Sequence, residues 1–399
     1  MADGLLVLNA GSSSIKFAMY RLGEPGTDPQ LHLRGNLSGI EEQPHLFAAD
    51  ASGRQLEEGV LPGSAVQNHQ DALDHLLDWL DRQAHEVHLV GVGHRVLHGG
   101  RDYTRPVRIT PDLLQQLDRF CPLGPDNQPH NLAGIRAMEA VAPDLPQVAC
   151  FDTAFHARQP PVARLMPLPG EYADRGFVRY GFHGLSYDYI TSVLPSYNDG
   201  HFPQRLIIAH LGSGASAAAI KDGVGIATTM GLTALDGLMM GTRSGSLDPG
   251  ALLYLMEEDG LGAQELSDLL YKRSGLLGVS GISADMRVLL DSSEPGARRA
   301  VDLFSYRVVR AVGSLVAALQ GLDGLVFTGG IGEHAATIRA GVCHQLRWLG
   351  LDLDENANDR HGPVITQATS AVKGWVIPTN EELVIARHTM EVLARESAG

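Results

Sequence analysis

Apolar and polar positions along the chain predict short strands that alternate with amphipathic helices. Residues 5–8 and 15–20 are apolar runs on either side of a polar stretch, which predicts a strand, a turn and a second strand. Further short apolar runs predict strands at residues 87–92, 147–150, 206–209, 325–327 and 375–377. Apolar residues at helical spacing predict helices at residues 71–83, 131–141, 297–319 and 381–395, with Asn131 and either Thr379 or Asn380 as N-caps. This alternation is typical of the α/β class, here with mixed sheets.

The strand–turn–strand pattern near the N-terminus occurs again in the second half of the chain. Residues 206–211 are apolar, Gly212, Ser213 and Gly214 form a turn, and a strand of small residues follows. Gly11 and Gly212 lie 201 residues apart, close to half of the 399-residue chain. Such a repeat predicts two copies of one domain, although two unrelated Gly/Ser hairpins would give the same pattern.

Composition argues against some classes of partner and location. The chain has 31 Lys and Arg against 46 Asp and Glu, a formal charge of −15, which argues against a nucleic acid or an anionic membrane as partner. No basic and apolar leader opens the sequence, and the most apolar long segment, residues 308–322, contains Arg310 and is too short to cross a bilayer. Cys121, Cys150 and Cys343 are far apart and have no zinc-ligand spacing. These features predict a cytoplasmic protein with reduced thiols.

Three glycine-rich turns follow predicted strands, at residues 11–14, 212–214 and 329–333. Backbone N–H groups in such turns can hold phosphate oxygens, and Lys16 lies close enough to the first turn to add a positive charge. A single turn of this kind is most often a plain β-turn. Three of them after strands, two within the repeat, favour a phosphate-bearing ligand shared by two domains.

Charged and polar side chains next to glycines or strand ends supply the candidate chemistry. Arg95 and Arg243 lie among glycines, and a guanidinium group binds carboxylate or phosphate in a bidentate way. Asp152 follows a predicted strand, His183 lies in a glycine-lined turn, and Glu381 opens the last helix. Structural roles for each of these, such as an ion pair or a partner of the helix dipole, stay open at this point. Together with the glycine turns, the two arginines favour an anion-binding site.

Nine short motifs, collinear and at matching spacing, resemble the acetate kinase family from residue 5 to about residue 390. They are residues 9–16, 93–100, 151–156, 179–184, 210–216, 237–245, 285–287, 328–333 and 379–383. The resemblance implies two duplicated α/β lobes with a ribonuclease-H-like core, of the sugar-kinase and actin type, with a cleft between them. It implies a first lobe at residues 1–152 and 384–399 and a nucleotide-binding second lobe at residues 153–383.

The activity that the resemblance implies is that of an acetate kinase. Such an enzyme transfers the γ-phosphoryl group of ATP reversibly to acetate by direct in-line transfer, giving acetyl phosphate and ADP. A homodimer is implied as well, with a small carboxylate and ATP as the other binding partners.

The resemblance also implies roles for individual residues. The implied catalytic residues are Arg95, Asp152, His183 and Arg243. The implied substrate-binding residues are Arg95 again and the acyl-pocket residues Leu97, Leu123, Phe182 and Ala234. The implied nucleotide-binding residues are Ser12, Ser14, Lys16, His210, Leu211, Gly212, Ser213, Gly214, Asp285, Met286, Arg287, Gly329, Gly330, Ile331, Gly332 and Glu333. Asn9 and Glu381 are the implied residues of a Mg²⁺ site, which Mn²⁺ could also occupy.

Several positions depart from the family's pattern in the phosphate-handling region. Ser213 stands where Asn is common in the second phosphate loop, and Tyr187 stands where His is common. Ser246 stands where Asp is common. The segment after Leu123 has an insertion and lacks the His that the family has there as an auxiliary donor to the phosphoryl group. His130 could replace this donor if it reaches the site.

The predicted acyl pocket carries two opposed changes. Leu97 stands where Val is common, which narrows the pocket, and Ala234 stands where Pro is common, which widens it. One methylene is worth only about 1–3 kcal/mol of discrimination, so acetate and propionate both stay open as substrates.

Two further interpretations stay open at this stage. One is a different kinase on the same scaffold, acting on propionate, on butyrate or on a sugar, of which the sugar kinase would need an Asp base and no arginine pair. The other is a nucleotide-binding paralogue in which the departures have removed the catalytic activity.

Overall fold

The computed structural model describes residues 2–11, 14–24, 26–40, 43–62, 66–83 and 86–397. The chain divides into unit 1, residues 1–154 with 380–399, and unit 2, residues 155–379. The strands are β1 (Ala2–Ala10), β2 (Ser14–Arg21), β3 (Gln30–Ser38), β4 (His45–Asp50), β5 (Gln55–Val60), β6 (Val87–Val96), β7 (Val107–Arg108), β8 (Gln147–Phe151), β9 (Arg205–Leu211), β10 (Ala215–Lys221), β11 (Val224–Thr228), β12 (Gly324–Thr328) and β13 (Lys373–Val376).

Helices connect and cover these strands. They are α1 (His69–Gln83), α2 (Pro111–Asp118), α3 (Gln128–Val141), α4 (Pro161–Arg164), α5 (Gly170–Asp174), α6 (Gly184–Val193), α7 (Pro249–Glu257), α8 (Ala263–Lys272), α9 (Gly275–Ser280), α10 (Met286–Leu290), α11 (Pro295–Leu319), α12 (Gly329–His334), α13 (Ala336–Gln345), α14 (Glu355–Asp359) and α15 (Glu381–Ser397). Single turns of 3₁₀-helix lie at Cys121–Leu123, Ala154–Arg158, Leu194–Tyr197 and Arg347–Leu349.

Each unit contains one mixed sheet with the same central arrangement. In unit 1 the strand order is β5-β4-β3-β2-β1-β6-β8-β7, and in unit 2 it is β11-β10-β9-β12-β13. In both, an antiparallel hairpin (β1–β2 or β9–β10) continues into parallel strands (β6 and β8, or β12 and β13). Five strands of unit 1 therefore match the five of unit 2 in order and direction. The predicted α/β class and the predicted duplication are confirmed.

The repeat extends to the hairpin turns, with one difference. Ala10 pairs with Ile15 across the first turn, whereas Leu211 pairs with Ala215 across the second. The second turn is thus one residue shorter, and the N–H of Gly212 donates to the carbonyl of Gly214 at 3.0 Å.

Parallel strands bring the site residues of each unit to one sheet edge. In unit 1, Asn9 lies at the carboxyl end of β1, Arg95 at the end of β6, and Asp152 directly after β8. In unit 2, His210 lies near the end of β9 and Gly329 directly after β12. Ligands of open α/β sheets bind at this edge, so the topology explains why residues distant in sequence gather there.

Helix α1 shows how the apolar pattern becomes a core. Leu73, Leu76, Trp79 and Leu80 are buried on one face of this helix, and the Trp79 ring meets the Phe17 ring of β2 edge-on at 6.1 Å. Burying a side chain of this size is worth about 1.5–3 kcal/mol, which holds the helix on the sheet.

One predicted N-cap was wrong and another is confirmed. Helix α3 begins at Gln128, three residues before the predicted cap, because Pro129 suits the first turn of a helix. Asn131 is instead a buried residue inside α3, where it accepts from the N–H of Leu97 at 3.0 Å and donates to the carbonyl of Ala10 at 2.7 Å. Asn380 caps α15 as predicted, accepting from the N–H of Leu383 at 3.0 Å.

The third glycine-rich segment is also different from its prediction. Residues 329–333 belong to the short helix α12 and do not form a plain turn. Gly329 begins this helix with φ +75°, and a Cβ there would lie 2.8 Å from the carbonyl oxygen of Leu211. Glycine is therefore required at this position by conformation and by space.

The cysteines and the apolar helices bear on the predictions made from composition. Cys121, Cys150 and Cys343 are free cysteines in the structure. Within the described ranges, no helix has the length and apolar character needed to cross a membrane.

Candidate active site

The site of unit 1 is built around the guanidinium group of Arg95. Its Nε and Nη2 donate to the two carboxylate oxygens of Asp152 at 3.1 and 2.5 Å, a bidentate pair. Its Nη1 donates to the side-chain oxygen of Asn9 at 3.5 Å, and a carboxylate oxygen of Glu381 lies 3.9 Å from Nε. Three residues that are far apart in sequence, Asn9, Asp152 and Glu381, therefore share one cation.

Burial makes the charges of this cluster strongly interdependent. The side chain of Asp152 is 1% exposed, that of Arg95 15% and that of Glu381 20%. Burial disfavours the Arg95 cation, but attraction to Asp152 and Glu381 outweighs this, so the pKa of Arg95 is raised. Burial, only partly offset by Arg95, and repulsion from Asp152 raise the pKa of Glu381 to about 7.

The oxygen donors around Arg95 fit a hard divalent cation. Asn9 supplies an amide oxygen, and Glu381 and Asp152 supply carboxylates whose combined charge exceeds that of one guanidinium group. Mg²⁺ prefers oxygen donors and takes few of them from protein, the rest being phosphate and water. Among the residues that the structure describes, no group of three or more His, Cys, Asp and Glu side chains forms a complete metal site. Asn9, Asp152 and Glu381 are the residues of this cluster that could hold such a cation.

The first glycine turn is held by two buried side chains. The Nε2–H of His69 donates to the carbonyl of Gly11 at 2.7 Å, and Asn131 holds the preceding carbonyl, that of Ala10. His130 stacks on His69 with ring centroids 5.9 Å apart. Ser12 lies outside the described residues. His130, the histidine that follows the insertion after Leu123, thus lies against His69, the residue that holds the first turn.

Two residues predicted to line this turn lie on β2. Ser14 accepts at its carbonyl from the N–H of Gly11 at 2.7 Å, and Lys16 is an exposed residue paired with Asn9 across the hairpin. The ammonium group of Lys16 is close enough to Glu381 to oppose the rise of that residue's pKa.

The site of unit 2 contains two stacked imidazole rings, those of His183 and His210. Their centroids lie 4.2 Å apart with 20° between the planes. Nδ1 of His183 lies 2.7 Å from Ser216 Oγ, and Nδ1 of His210 lies 2.8 Å from Ser186 Oγ. The backbone of His183 is left-handed (φ +56°), an uncommon conformation outside glycine that is often found at functional sites.

The Nε2 edges of the two rings, which lie opposite the Nδ1 atoms that contact the serines, face the second glycine turn at residues 212–214. A Cβ at Gly214 would lie 3.2 Å from Nε2 of His183, and one at Gly212 would lie 3.7 Å from Nε2 of His210. A side chain at position 214 would crowd His183. The glycine turn and the Nε2 edges of the paired rings therefore lie next to one another.

A cavity of about 500 Å³ adjoins this turn in unit 2. It is lined by predicted nucleotide-binding residues together with a few neighbours: Gly212, Ser213, Ala284, Asp285, Met286, Arg287, Leu290, Gly330, Ile331, His334 and Ala335. Asp285 caps α10 by accepting from the N–H of Arg287 at 2.9 Å, and its carboxylate pairs with the Arg287 guanidinium. The cavity is large enough for a nucleoside.

Glu333 and Ser213 contact backbone around this cavity. A carboxylate oxygen of Glu333 accepts from the N–H groups of Gly329 at 2.9 Å and Thr379 at 3.1 Å. The carbonyl of Ser213 accepts from the N–H of Gly241 at 2.9 Å. Glu333 thus ties the ends of β12 and β13 together, which is a structural role in addition to the predicted one.

Arg243 lies in unit 2 and contacts the predicted acyl wall. Its Nη1 donates to the carbonyl of Ala234 at 3.3 Å, and its own carbonyl accepts from the N–H of Met240 at 3.1 Å. Phe182 is 1% exposed and precedes His183 directly. In unit 2 the structure therefore groups Ala234 with Arg243 and Phe182 with His183.

Leu97 and Leu123 belong to unit 1. Leu97 is 3% exposed, and a Cβ at Gly124 would lie 2.3 Å from its Cδ2. Glycine at position 124 therefore allows the loop after Leu123 to press against Leu97. That these two leucines bind the same acyl group as Phe182 and Ala234 stays a prediction.

Several residues of the site were missed in the sequence. Ser216 and Ser186 bond the two histidines, His69 holds the first turn, and Arg339 binds backbone carbonyls of α12. The contacts of the two serines and of His69 join segments that are far apart in sequence, whereas Arg339 contacts carbonyls six and seven residues before it. Two signals could have drawn attention to the serines: Ser216 ends the motif at residues 210–216, and Ser186 follows the motif at residues 179–184 by two residues.

His156 is bonded to the segment before His183, and its burial predicts that the free energy of unfolding depends on pH. Its Nε2–H donates to the carbonyl of Phe182 at 2.9 Å, and burial lowers its pKa from 6.5 to about 4. The unfolded chain takes up this proton near pH 6.5 and the folded protein only near pH 4, so the free energy of unfolding decreases as the pH falls through this window. The full shift corresponds to about 3 kcal/mol.

We expect the pH dependence of unfolding to be weaker in the His156→Gln variant. Glutamine keeps a donor for Phe182 but does not titrate, so urea midpoints of the variant should change less between pH 6.5 and 4. His94, whose pKa burial also lowers to about 4, leaves part of the slope in place. An unchanged slope would contradict the assignment to His156.

The sequence is similar to that of known proteins over nearly its full length. The family profile described as the Acetokinase family matches residues 4–387. An acetate kinase of Rhodopseudomonas palustris is 51% identical over 395 residues, which cover 97% of this chain and 98% of the relative. An acetate kinase of Nitrobacter hamburgensis is 46% identical over 396 residues, 99% of this chain and 98% of the relative.

Solved structures give the same result for the fold. A propionate kinase from Francisella tularensis has a TM-score of 0.90 at 36% identity, covering 98% of this chain and all of that one. An acetate kinase from Porphyromonas gingivalis has a TM-score of 0.87 at 36% identity, with the same coverage. The resemblance predicted from the nine motifs is confirmed, and the chain belongs to the acetokinase family.

Proposed function

We propose that this chain is an acetate kinase, which transfers the γ-phosphoryl group of ATP reversibly to acetate and gives acetyl phosphate and ADP. Likeness to acetate kinases over nearly the full length supports this activity. The observation that carries the proposal is the surface formed by His183, His210 and the Gly212–Gly214 turn beside a nucleoside-sized cavity. Imidazole N–H groups at this surface would donate to phosphate oxygens.

The nucleophile of this reaction needs little help from a base. A carboxylate is already ionised near neutral pH, so the chain needs neither a Ser or Cys nucleophile nor a strong general base. An acetate oxygen bonds to the γ-phosphorus as the bond to the bridging oxygen breaks, and ADP leaves with the electron pair. The difficulty is to bring two anions together, which requires cations and oriented donors around the transferring group.

The residues of unit 1 supply one part of these charges. Asp152 holds the Nε and Nη2 edge of Arg95, which turns its Nη1 side toward Asn9. We assign Arg95 to the substrate carboxylate and the phosphoryl oxygens, with Asp152 as the group that orients it. Asn9 and Glu381 are the residues that would hold Mg²⁺, which would neutralise phosphate charge when bound.

The residues of unit 2 supply the nucleotide contacts and the second cation. We assign the cavity around Asp285, Met286 and Ile331 to the nucleoside, and the backbone of the Gly212–Gly214 turn to phosphate oxygens. Arg243 is assigned to the reacting groups together with the imidazoles of His183 and His210.

A panel of carboxylates tests this function. Purified protein with ATP, Mg²⁺ and hydroxylamine should form hydroxamate from acetate, with kcat/KM for propionate lower by about tenfold, since one methylene is worth about 1–3 kcal/mol. Propionate kinase is the second candidate, favoured by the propionate kinase among the structural neighbours. A reversed preference would select it. ADP release that does not depend on any carboxylate would contradict both.

We also propose that the protein is a homodimer whose interface includes α7. No residue of this apolar helix is buried, and Leu253 and Tyr254 are 58% and 62% exposed. Leu247, just before α7, lines a cavity together with Leu303 of α11 and is half exposed. Exposed apolar surface of this extent is typical of an interface, and a second copy of the chain would cover it.

A double substitution, Leu253→Glu with Tyr254→Glu, should convert the protein to a monomer. Two carboxylates at an apolar interface would be buried without partners, so the mass measured by light scattering should fall by half. Thr337→Glu, an exposed helical position on α13, is the control and should keep the wild-type mass. A double variant that keeps the wild-type mass would exclude α7 from the interface.

The expected cytoplasmic location, and the expectation of no nucleic-acid or membrane partner, stay predictions from composition.

A further inference from the structure

The two stacked histidines of unit 2 are held in the same way on the same edge. Nδ1 of His183 contacts Ser216 Oγ at 2.7 Å, and that hydroxyl in turn contacts the phenol of Tyr187 at 2.5 Å. Nδ1 of His210 contacts Ser186 Oγ at 2.8 Å, and that hydroxyl accepts from Thr379 Oγ1 at 2.9 Å. Each ring therefore ends a short chain of two hydroxyl groups, while its Nε2 faces the glycine turn.

We propose that these two hydroxyl chains are positioning devices that place the ring proton of both histidines on Nε2. Ser216 with Tyr187 would act on His183, and Ser186 with Thr379 would act on His210. The pair then presents two neutral N–H donors side by side to phosphate oxygens at the Gly212–Gly214 turn. This inference rests on the proposed phosphoryl transfer. The residues that it names act on the two histidines and do not touch the reacting atoms.

The direction of the first chain follows from acid strength. A phenol is a much stronger acid than an aliphatic alcohol, so Tyr187 is the better donor and Ser216 Oγ the acceptor between them. The single hydroxyl proton of Ser216 is then directed to the second contact, which is Nδ1 of His183. A neutral imidazole that accepts at Nδ1 carries its proton on Nε2. Ser216 is fully buried, so solvent does not compete for this proton.

The second chain repeats this logic with a different donor. Thr379 Oγ1 donates to Ser186 Oγ, which leaves the Ser186 proton for Nδ1 of His210. Ser186 is fully buried and His210 is 9% exposed. The N–H of Thr379 is held by Glu333, so the threonine hydroxyl is fixed at the end of its own short chain.

The stacking of the two rings favours neutral imidazoles over charged ones beside the glycine turn. The ring centroids lie 4.2 Å apart, and two imidazolium ions at that distance would repel each other. Two neutral rings with parallel N–H groups avoid this repulsion and still offer hydrogen bonds to an oxygen that gains negative charge. The N–H groups are oriented before substrate arrives, so no reorganisation is needed during transfer.

Nitrogen NMR of the full-length protein tests the proton positions directly. With ¹⁵N-labelled histidine, Nε2–H and Nδ1–H tautomers give different long-range proton–nitrogen patterns, and the His183→Gln and His210→Gln variants assign the signals. We expect both rings to be Nε2–H tautomers in the substrate-free protein at pH 8. A proton on Nδ1 of either ring in the wild type would overturn the inference without any variant.

Variants extend the test to catalysis. Ser216→Ala and Tyr187→Phe should give a mixed tautomer at His183, and Thr379→Val should do so at His210. For Ser216→Ala we expect kcat to fall about tenfold to a hundredfold while KM for ATP and acetate changes less than about twofold, the pattern of an interaction lost in the transition state. Ser192→Ala removes an exposed hydroxyl from the same helix, α6, and should match the wild type.

The outcomes separate this inference from the proposed function. Normal acetate turnover with unchanged tautomers in Ser216→Ala and Tyr187→Phe would overturn the inference and leave the kinase activity standing. Nε2–H tautomers that depend on Ser216, in a protein that phosphorylates no carboxylate, would support the proton assignment and overturn the proposed function.

Discussion

Replacing Arg243 with alanine should lower the rate of acetyl phosphate formation by a factor of about a thousand or more. The carboxylate and the γ-phosphoryl group are both anions, and loss of an arginine that stabilises a transferring phosphoryl group costs about 10³–10⁵ in kcat. The protein should remain folded, since the Arg243 side chain is only half-buried and its removal leaves no buried charge among the described residues without a partner. Hydroxamate formation and the thermal midpoint measure the two effects separately.

Two companion variants make the Arg243 result specific. Arg298→Ala removes a guanidinium that is 87% exposed in the same unit and should leave activity unchanged. Arg243→Lys keeps the charge but loses the planar fork, so we expect it to recover only part of the activity. Near-wild-type turnover by Arg243→Ala would count heavily against the proposed mechanism.

Replacing Arg339 with methionine should destabilise the protein by about 3–5 kcal/mol. The side chain is 0% exposed and its Nη1 donates to the carbonyls of Gly332 and Glu333, each at 2.9 Å. Its Nε and Nη2 donate to Asn358 at 2.8 and 2.7 Å. Methionine fills similar space but leaves several buried acceptors without a donor, and each of these costs about 1–3 kcal/mol. Chemical denaturation at constant m-value measures the loss.

Arg347→Met is the matched control for this prediction. Arg347 forms an ion pair with Asp352 at 3.0 Å, but its side chain is 78% exposed, so the pair should contribute less than about 1 kcal/mol. Similar losses in both variants would show that burial is not the cause.

The Arg339 variant should also affect nucleotide binding. Gly332 and Glu333 belong to α12, whose neighbours Gly330 and Ile331 line the 500 Å³ cavity. When the carbonyls of this helix lose their donor, its position should become less well defined. We therefore expect a higher KM for ATP in Arg339→Met and no change in Arg347→Met.

Much of the fold was predictable because it depends on local patterns. The apolar runs at residues 5–8 and 206–209 became β1 and β9, and the 201-residue spacing of Gly11 and Gly212 corresponds to a true duplication of sheet order. Strands need only a short apolar run, and a repeat needs only its period. The cap at Asn131 was wrong because its side chain serves distant backbone groups, which no local pattern reveals.

The sequence by itself determined the fold class, the duplication, the family and the residue types of the site. The tertiary structure alone decided which groups share a proton or a charge: Asp152 with Arg95, Ser216 with His183, and Asn358 with Arg339. The physical reason is that hydrogen bonds and buried charges depend on distances of a few ångströms between segments that are far apart in sequence. Periodicity and spacing describe a chain only along its own length.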